Sequence, residues 1–191
     1  MDGDPIGIPT LDTPRLRLRP ILVTDADAIF EYAKDPEVSK FTLWEPYQSI
    51  SDAEHFINGY VREYYADGEP EPLGITLQGT DKVIGTVGAF WTSKRCMELA
   101  YALSPNFWNR GLVTEASRAV MNYCFDTFDI DRFQSRCKAL NAASARVMEK
   151  IGMRYEGTLR QAVFHRNVSW DMKYYSILRA EWLELRNSSE K

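Results

Sequence analysis

The chain has 191 residues, of which 45% are hydrophobic and 13% aromatic, and its 23 basic and 27 acidic side chains leave a formal net charge of −4. Length and apolar content suit a folded domain with a proper core and exclude a disordered chain; no apolar run reaches the length of a membrane span. The acidic balance argues against a direct nucleic-acid partner, which would need a basic surplus or stripe, and agrees with a cationic acceptor.

The opening MDGDPIGIPTLD lacks the basic and then apolar segments of a signal peptide. The three cysteines, Cys96, Cys124 and Cys137, are odd in number and have no CxxC spacing. The two histidines match no metal spacing, so neither a disulfide framework nor a metal site is predicted. The expected location is a reducing cytoplasm, with no membrane partner.

Residues 1–10 read as a loose leader. Leu16 and Leu18 alternate with Arg15, Arg17 and Arg19 as a first strand ending at Pro20. Thr24 to Asp27 supply a cap and first-turn acids for a helix to about Lys34, which Asp35-Pro36 stops. Lys40 to Gln48 is loop. Ser51-Asp52-Ala53-Glu54 reads as a capping box for a helix through Phe56, Ile57, Tyr60 and Tyr64, and Gly68-Glu69-Pro70-Glu71-Pro72 ends it. Leu73 to Gln78, Val83 to Trp91 and Cys96 to Leu103 are strand-like runs separated by short turns, the simplest layout being an antiparallel meander.

Pro105 breaks the third of these runs, and Asn109-Arg110-Gly111 leads into a helix with apolar residues at Leu112, Ala116, Ala119, Val120 and Tyr123. A helix start exposes about four unpaired N–H groups and roughly half a positive charge. A glycine there permits close approach, which makes a ready phosphate site. Arg132 to Ala139 then reads as a strand, and Ala142 to Ile151 as a helix ending at Gly152. Met153 to Arg160 with Val168 to Leu178 form a hairpin, Arg179 to Arg186 a short helix, and residues 187–191 a frayed tail. The expected fold is α+β, one domain over residues 1–191 with flexible ends.

Two stretches carry a family resemblance. The first holds Glu98, Tyr101, Leu103, Pro105, Trp108, Gly111, Thr114, Glu115 and Ala116; the second holds Asn141, Ser144, Lys150, Gly152, Glu156 and Gly157. At these spacings they resemble the GNAT superfamily of acetyl-CoA-dependent N-acetyltransferases, and within it the ribosomal-protein branch. The opening TPRLRLRP (Thr13 to Pro20) is similar to that family's first strand. The resemblance implies a mixed, mostly antiparallel sheet with helices on both faces. In that sheet the strand ending at Leu103 and the one starting near Arg132 are parallel and splay apart.

The resemblance also implies the site. Acetyl-CoA is the co-substrate, with no metal. Backbone amides of Asn109, Arg110, Gly111, Leu112, Val113 and Thr114 face its pyrophosphate, and Val113 stands where the family has Gly or Ala. Tyr101, Ala102 and Leu103 pair with the pantetheine as an added strand would, and Asn141 binds the cofactor or caps the following helix. Ser144 is the candidate acid for the departing thiolate as well as a cofactor contact. The Glu and Tyr that another branch uses as base and acid are replaced by Arg136 and Met148, leaving Glu98 as the nearest strand carboxylate. An α-amine (pKa about 8) is easier to deprotonate than a lysine (about 10.4) by roughly 3 kcal/mol at pH 7, so a site without a strong base favours α-amines.

The predicted activity is direct acetyl transfer to a primary amine, a protein N-terminus in the ribosomal-protein manner. The alternatives are a small-molecule amine acetyltransferase acting on a polyamine, amino acid or drug, and a module that binds acyl-CoA without catalysis. The partner is thus an amine-bearing substrate, and the chain is a monomer or homodimer. The aromatics Phe41, Trp44, Tyr47, Trp91 and Phe164, with His165, are open to two readings, acceptor pocket or core.

Overall fold

A computed structural model describes residues 7–189. Its strands are β1 (Leu11–Asp12), β2 (Leu16–Pro20), β3 (Leu73–Leu77), β4 (Gly85–Ser93), β5 (Cys96–Leu103), β6 (Arg132–Lys138), β7 (Arg154–His165) and β8 (Val168–Leu178). They form an eight-stranded sheet in the order β1-β2-β3-β4-β5-β6-β8-β7. The registered pairs are antiparallel except β5 with β6, which are parallel from Cys96↔Arg132 to Glu98↔Gln134. This is the mixed α+β fold that the sequence predicts. The chain separates into two compact units, one comprising residues to Phe90 with Ala100–Val120, the other Trp91–Leu99 with Met121 onward.

In the first unit, β2 pairs with β3 over five residues, from Leu16↔Leu77 to Pro20↔Leu73. Leu16 and Leu18 are buried while Arg15 and Arg17 are exposed, the alternation expected of a half-buried strand. Helix α1 (Ala26–Ala33) follows a 3₁₀ turn, and the Asp25 carboxylate accepts from Leu22 N at 2.8 Å and from both terminal nitrogens of Arg19 at 2.8 Å. Two short elements escape the sequence reading, β1 and α2 (Pro36–Ser39). Each is too brief to show a period.

Helix α3 (Ile50–Phe56) starts two residues earlier than predicted. Asp52 does the capping, accepting from Gln48 N at 2.7 Å and Ser49 N at 3.0 Å, so Ser49 and not Ser51 is the cap position. The run continues as a π-helical segment, Ile57–Val61, and then α4 (Arg62–Ala66). Ala53, Ile57 and Val61 all join the buried cluster with Ile21, Ile29, Tyr32 and Val83. Eight residues of ideal α-helix overshoot two turns by about 80°. Apolar residues spaced four and four are therefore aligned on one face by a local widening. Trp44 and Tyr47 pack against this cluster, so the core reading applies to them. Burial of each large apolar side chain here contributes roughly 1.5–3 kcal/mol.

In the second unit, β6 pairs with β8 over seven residues, and β7 with β8 through two irregularities, between Tyr155 and Gly157 and between Leu159 and Val163. Helix α5 (Leu112–Thr127) continues into this unit. The strand after it is followed by α6 (Ala142–Lys150), and β8 by α7 (Arg179–Ser189). Phe125 stacks on Trp182 with centroids 4.8 Å apart. Arg179 donates to the carbonyls of Phe125, Phe128 and Ile130 at 3.0, 2.8 and 2.7 Å, capping the end of α5 with a cation where the helix dipole is negative. Residues 187–189 belong to α7, where the sequence predicts a frayed tail. The rest of that tail and most of the predicted leader lie outside the described residues. β7 runs to His165, past the Arg160 limit expected, and Phe164 on it is 72% exposed, which makes it no part of a core.

Candidate functional site

The first unit carries the loop predicted to meet phosphate. Ser104 N donates to Ile84 O at 2.8 Å, and a 3₁₀ turn (Pro105–Phe107) leads to Trp108. The Trp108 indole N–H donates to Leu103 O at 2.7 Å, closing the turn onto the end of β5. Asn109 and Gly111 both lie in the left-handed region, with φ of 60° and 74°. Arg110 between them does not have positive φ. This turn carries left-handed residues of the kind found where successive N–H groups can face an anion. It stands at the head of the 16-residue helix α5, which adds the helix-terminus field.

Glu115, in the first turn of α5, would repel a phosphate if it faced one. Its carboxylate is instead tied to the start of β2. Oε1 accepts from Thr13 Oγ1 at 2.7 Å and Arg15 N at 3.0 Å, while Oε2 accepts from Arg15 Nε at 2.6 Å. Burial pushes this carboxyl up, but the bonds from Thr13 and Arg15 outweigh it and hold it below the usual range. Arg15 also donates to Arg110 O at 2.9 Å, fixing the loop backbone. The Arg110 guanidinium lies over the Phe107 ring at 5.5 Å. Reading Arg15 as an outward strand residue misses this role, because its partners are about a hundred positions away.

Tyr101, Ala102 and Leu103 form the last residues of β5. Leu112 is buried in the first turn of α5, and Val113 and Thr114 beside it are half-buried.

The second unit holds the other predicted residues. Asn141 caps α6, its Oδ1 accepting from Ser144 N at 3.1 Å. The Ser144 hydroxyl hydrogen-bonds the Cys137 thiol of β6, which burial pushes up in pKa while Lys173 and Ser144 pull it down. Glu98, the nearest strand carboxylate, is buried at 6% exposure. Its Oε1 accepts from Arg136 Nε and its Oε2 from Gln134 Nε2, both at 2.9 Å. Arg136, standing where another branch has its base, is therefore the counter-ion of Glu98.

A strand thus delivers its end to a left-handed turn at a helix head, on the mixed sheet of an α+β protein whose registered pairs include one parallel pair. Residues 15–154 match the family model described as an acetyltransferase (GNAT) domain. An uncharacterised N-acetyltransferase of Bacillus subtilis (strain 168), YnaD, is 31% identical over 173 residues, covering 90% of this chain and 98% of that protein. YdaF of the same organism, named provisionally as a ribosomal N-acetyltransferase, is 27% identical over 121 residues, 63% of this chain and 66% of that one. The crystal structure of a GNAT-family acetyltransferase from Bacillus anthracis has a TM-score of 0.80 at 28% identity, covering 90% of this chain and 99% of that one. The chain belongs to the GNAT acetyltransferase family and is an N-acetyltransferase.

Proposed function

We propose that the chain moves acetyl from acetyl-CoA to the α-amine of a protein N-terminus. The observation that carries this is the Asn109–Gly111 turn at the head of α5, with Glu115 drawn away by Thr13 and Arg15. Backbone N–H groups from Asn109 to Thr114 are the donors for the pyrophosphate. Because they are main-chain, Val113 in place of a smaller residue removes none of them. Tyr101, Ala102 and Leu103 offer strand backbone to the pantetheine amides, and Leu103 N–H is the donor for the developing oxyanion. Residues 15–154, matched by the family model, run through both units and act as one acetyltransferase domain.

In the second unit, Ser144 supplies the proton for the departing thiolate and Asn141 fixes the first turn of α6 around it. Glu98 neutralises Arg136 and is held too firmly to act as base. The kinship with YdaF and the missing base pair both favour an α-amine over lysine. Release of free thiol from acetyl-CoA is the direct assay, run with a peptide bearing a free α-amine, a lysine peptide with a blocked N-terminus, and a polyamine. The free α-amine is expected to react fastest. A faster lysine peptide overturns the acceptor assignment, and a faster polyamine establishes the small-molecule alternative.

A further inference from the structure

Within the first unit, Arg15 joins three segments that lie far apart along the chain: the corner between β1 and β2, the Asn109–Gly111 turn, and Glu115 of α5. The corner is braced from the end of β3. Gln78 Nε2 donates to Thr13 O at 3.1 Å and to Leu16 O at 3.0 Å, and Gln78 N donates to Arg15 O at 2.9 Å. The Thr13 hydroxyl accepts from Leu16 N at 3.0 Å. Its one proton goes to Glu115 Oε1 at 2.7 Å, the nearer and the charged of the two acceptors in reach.

The Arg15 guanidinium serves two partners of different kinds. Nε donates to Glu115 Oε2 at 2.6 Å and Nη1 to Arg110 O at 2.9 Å, while Nη2 stands 3.7 Å from where a Cβ of Gly111 would sit. The Arg15 side chain is 50% exposed, and an ion pair this open adds little to stability. Its effect is on the field and the shape of the turn. A helix head carries roughly +0.5 charge, so an uncancelled carboxylate in the first turn would bring the local sum to about −0.5, and the Arg15 cation restores about +0.5. The bond to Arg110 O also fixes a direction. The peptide joining Arg110 to Gly111 is planar and trans, so a carbonyl held toward Arg15 aims the Gly111 N–H to the opposite side.

We propose that Arg15 is the positioning residue of the coenzyme loop, cancelling the Glu115 charge at the head of α5 and setting the Arg110–Gly111 peptide so that its N–H meets the pyrophosphate. The proposal rests on the reading above that this turn receives the pyrophosphate, and it adds the strand residue that keeps the turn competent. Arg15 acts through Glu115 and Arg110 and is assigned no contact with the coenzyme. A lysine could not replace it, because a single ammonium lacks the planar fork that reaches a carboxylate and a carbonyl together.

The test is calorimetric Kd of the full chain for acetyl-CoA and for S-acetylpantetheine, which lacks the diphosphate. Arg15→Ala is expected to weaken acetyl-CoA about tenfold and S-acetylpantetheine less than about twofold. Adding Glu115→Gln to Arg15→Ala should bring acetyl-CoA back to within about threefold of wild type, because the charge that Arg15 cancels is then gone. A merely structural role would instead make the second loss add to the first. Arg15→Ala within about twofold of wild type for acetyl-CoA, equal losses for the two thioesters, or a double variant no tighter than Arg15→Ala each overturn the role. Arg15→Lys covers a failure of Arg15→Ala to fold: a loss of about threefold supports the role, and wild-type affinity overturns it. A wild type that binds both thioesters equally is failure of the pyrophosphate reading, and the role of Arg15 falls with it. A wild-type preference for acetyl-CoA that survives intact in Arg15→Ala is failure of the Arg15 role alone.

Discussion

Two buried carboxylates, one in each unit, show how differently the same side chain is used. Glu98 has a cation and an amide as partners, Arg136 and Gln134, one on each oxygen. Among the described residues, Glu71 has one hydrogen-bond partner, the neutral Tyr60, and an oxygen without one. Burial is nearly equal, 6% against 4%, so burial does not set the chemistry. What differs is whether the charged form is matched. The carboxylate of Glu98 is held by a partner on each oxygen, whereas burial with one neutral partner pushes Glu71 up to about 8.

The sharpest way to break this contrast is the pH dependence of stability. The Glu71 carboxyl is raised from 4.5 to about 8, so between those values the folded chain holds a proton that the unfolded chain has released. Its contribution is fully present below pH 4.5 and is lost as pH rises through 8. Glu71→Gln removes it. Urea unfolding of wild type minus Glu71→Gln should therefore fall by on the order of 4 kcal/mol across that window. A flat difference would mean that Glu71 is ionised in the folded chain and that the contrast with Glu98 is false.

The next effect concerns the matched side. Glu98→Gln strands the Arg136 guanidinium, which is only part-exposed at 36% of its side chain. The expected loss is about 2 kcal/mol, discounted for that exposure. At pH 7 the same exchange at Glu71 should cost nothing or stabilise, because a neutral amide replaces a carboxyl that resists ionisation. Opposite signs from one substitution type, read from unfolding midpoints, would establish the distinction; equal losses would remove it.

None of that contrast is visible in the sequence. Glu71 and Glu69 sit in the same Gly-Glu-Pro-Glu-Pro stretch, and nothing local marks one of them for the interior. The marker is Gly88, far along the chain, whose missing side chain leaves room for the Glu71 oxygen. Glu98 likewise reads as an outward strand residue until Arg136 arrives from the parallel neighbour. The elements with long periods are legible: β5 and the start of α5 fall where alternation and the helical stripe predict. Gly111 is legible as the turn into α5, and its φ of 74° bears that out. The left-handed Asn109 is not, since asparagine adopts that region without being obliged to.

That loop supplies the smallest and most local test, and it separates the anion site from both carboxylates. Gly111→Ala forces a side chain into a left-handed position, a strain of about 1 kcal/mol. A Cβ there would meet only Arg15 Nη2, at an ordinary 3.7 Å, so the cost is conformational and not a clash. If the N–H groups of this turn grip the pyrophosphate, that strain should appear as roughly fivefold weaker acetyl-CoA binding by calorimetry. Asn109→Gly should leave affinity within about twofold, because glycine accepts the same φ at no steric cost. Unaltered coenzyme affinity in Gly111→Ala, with the turn shown to be displaced, would place the pyrophosphate elsewhere.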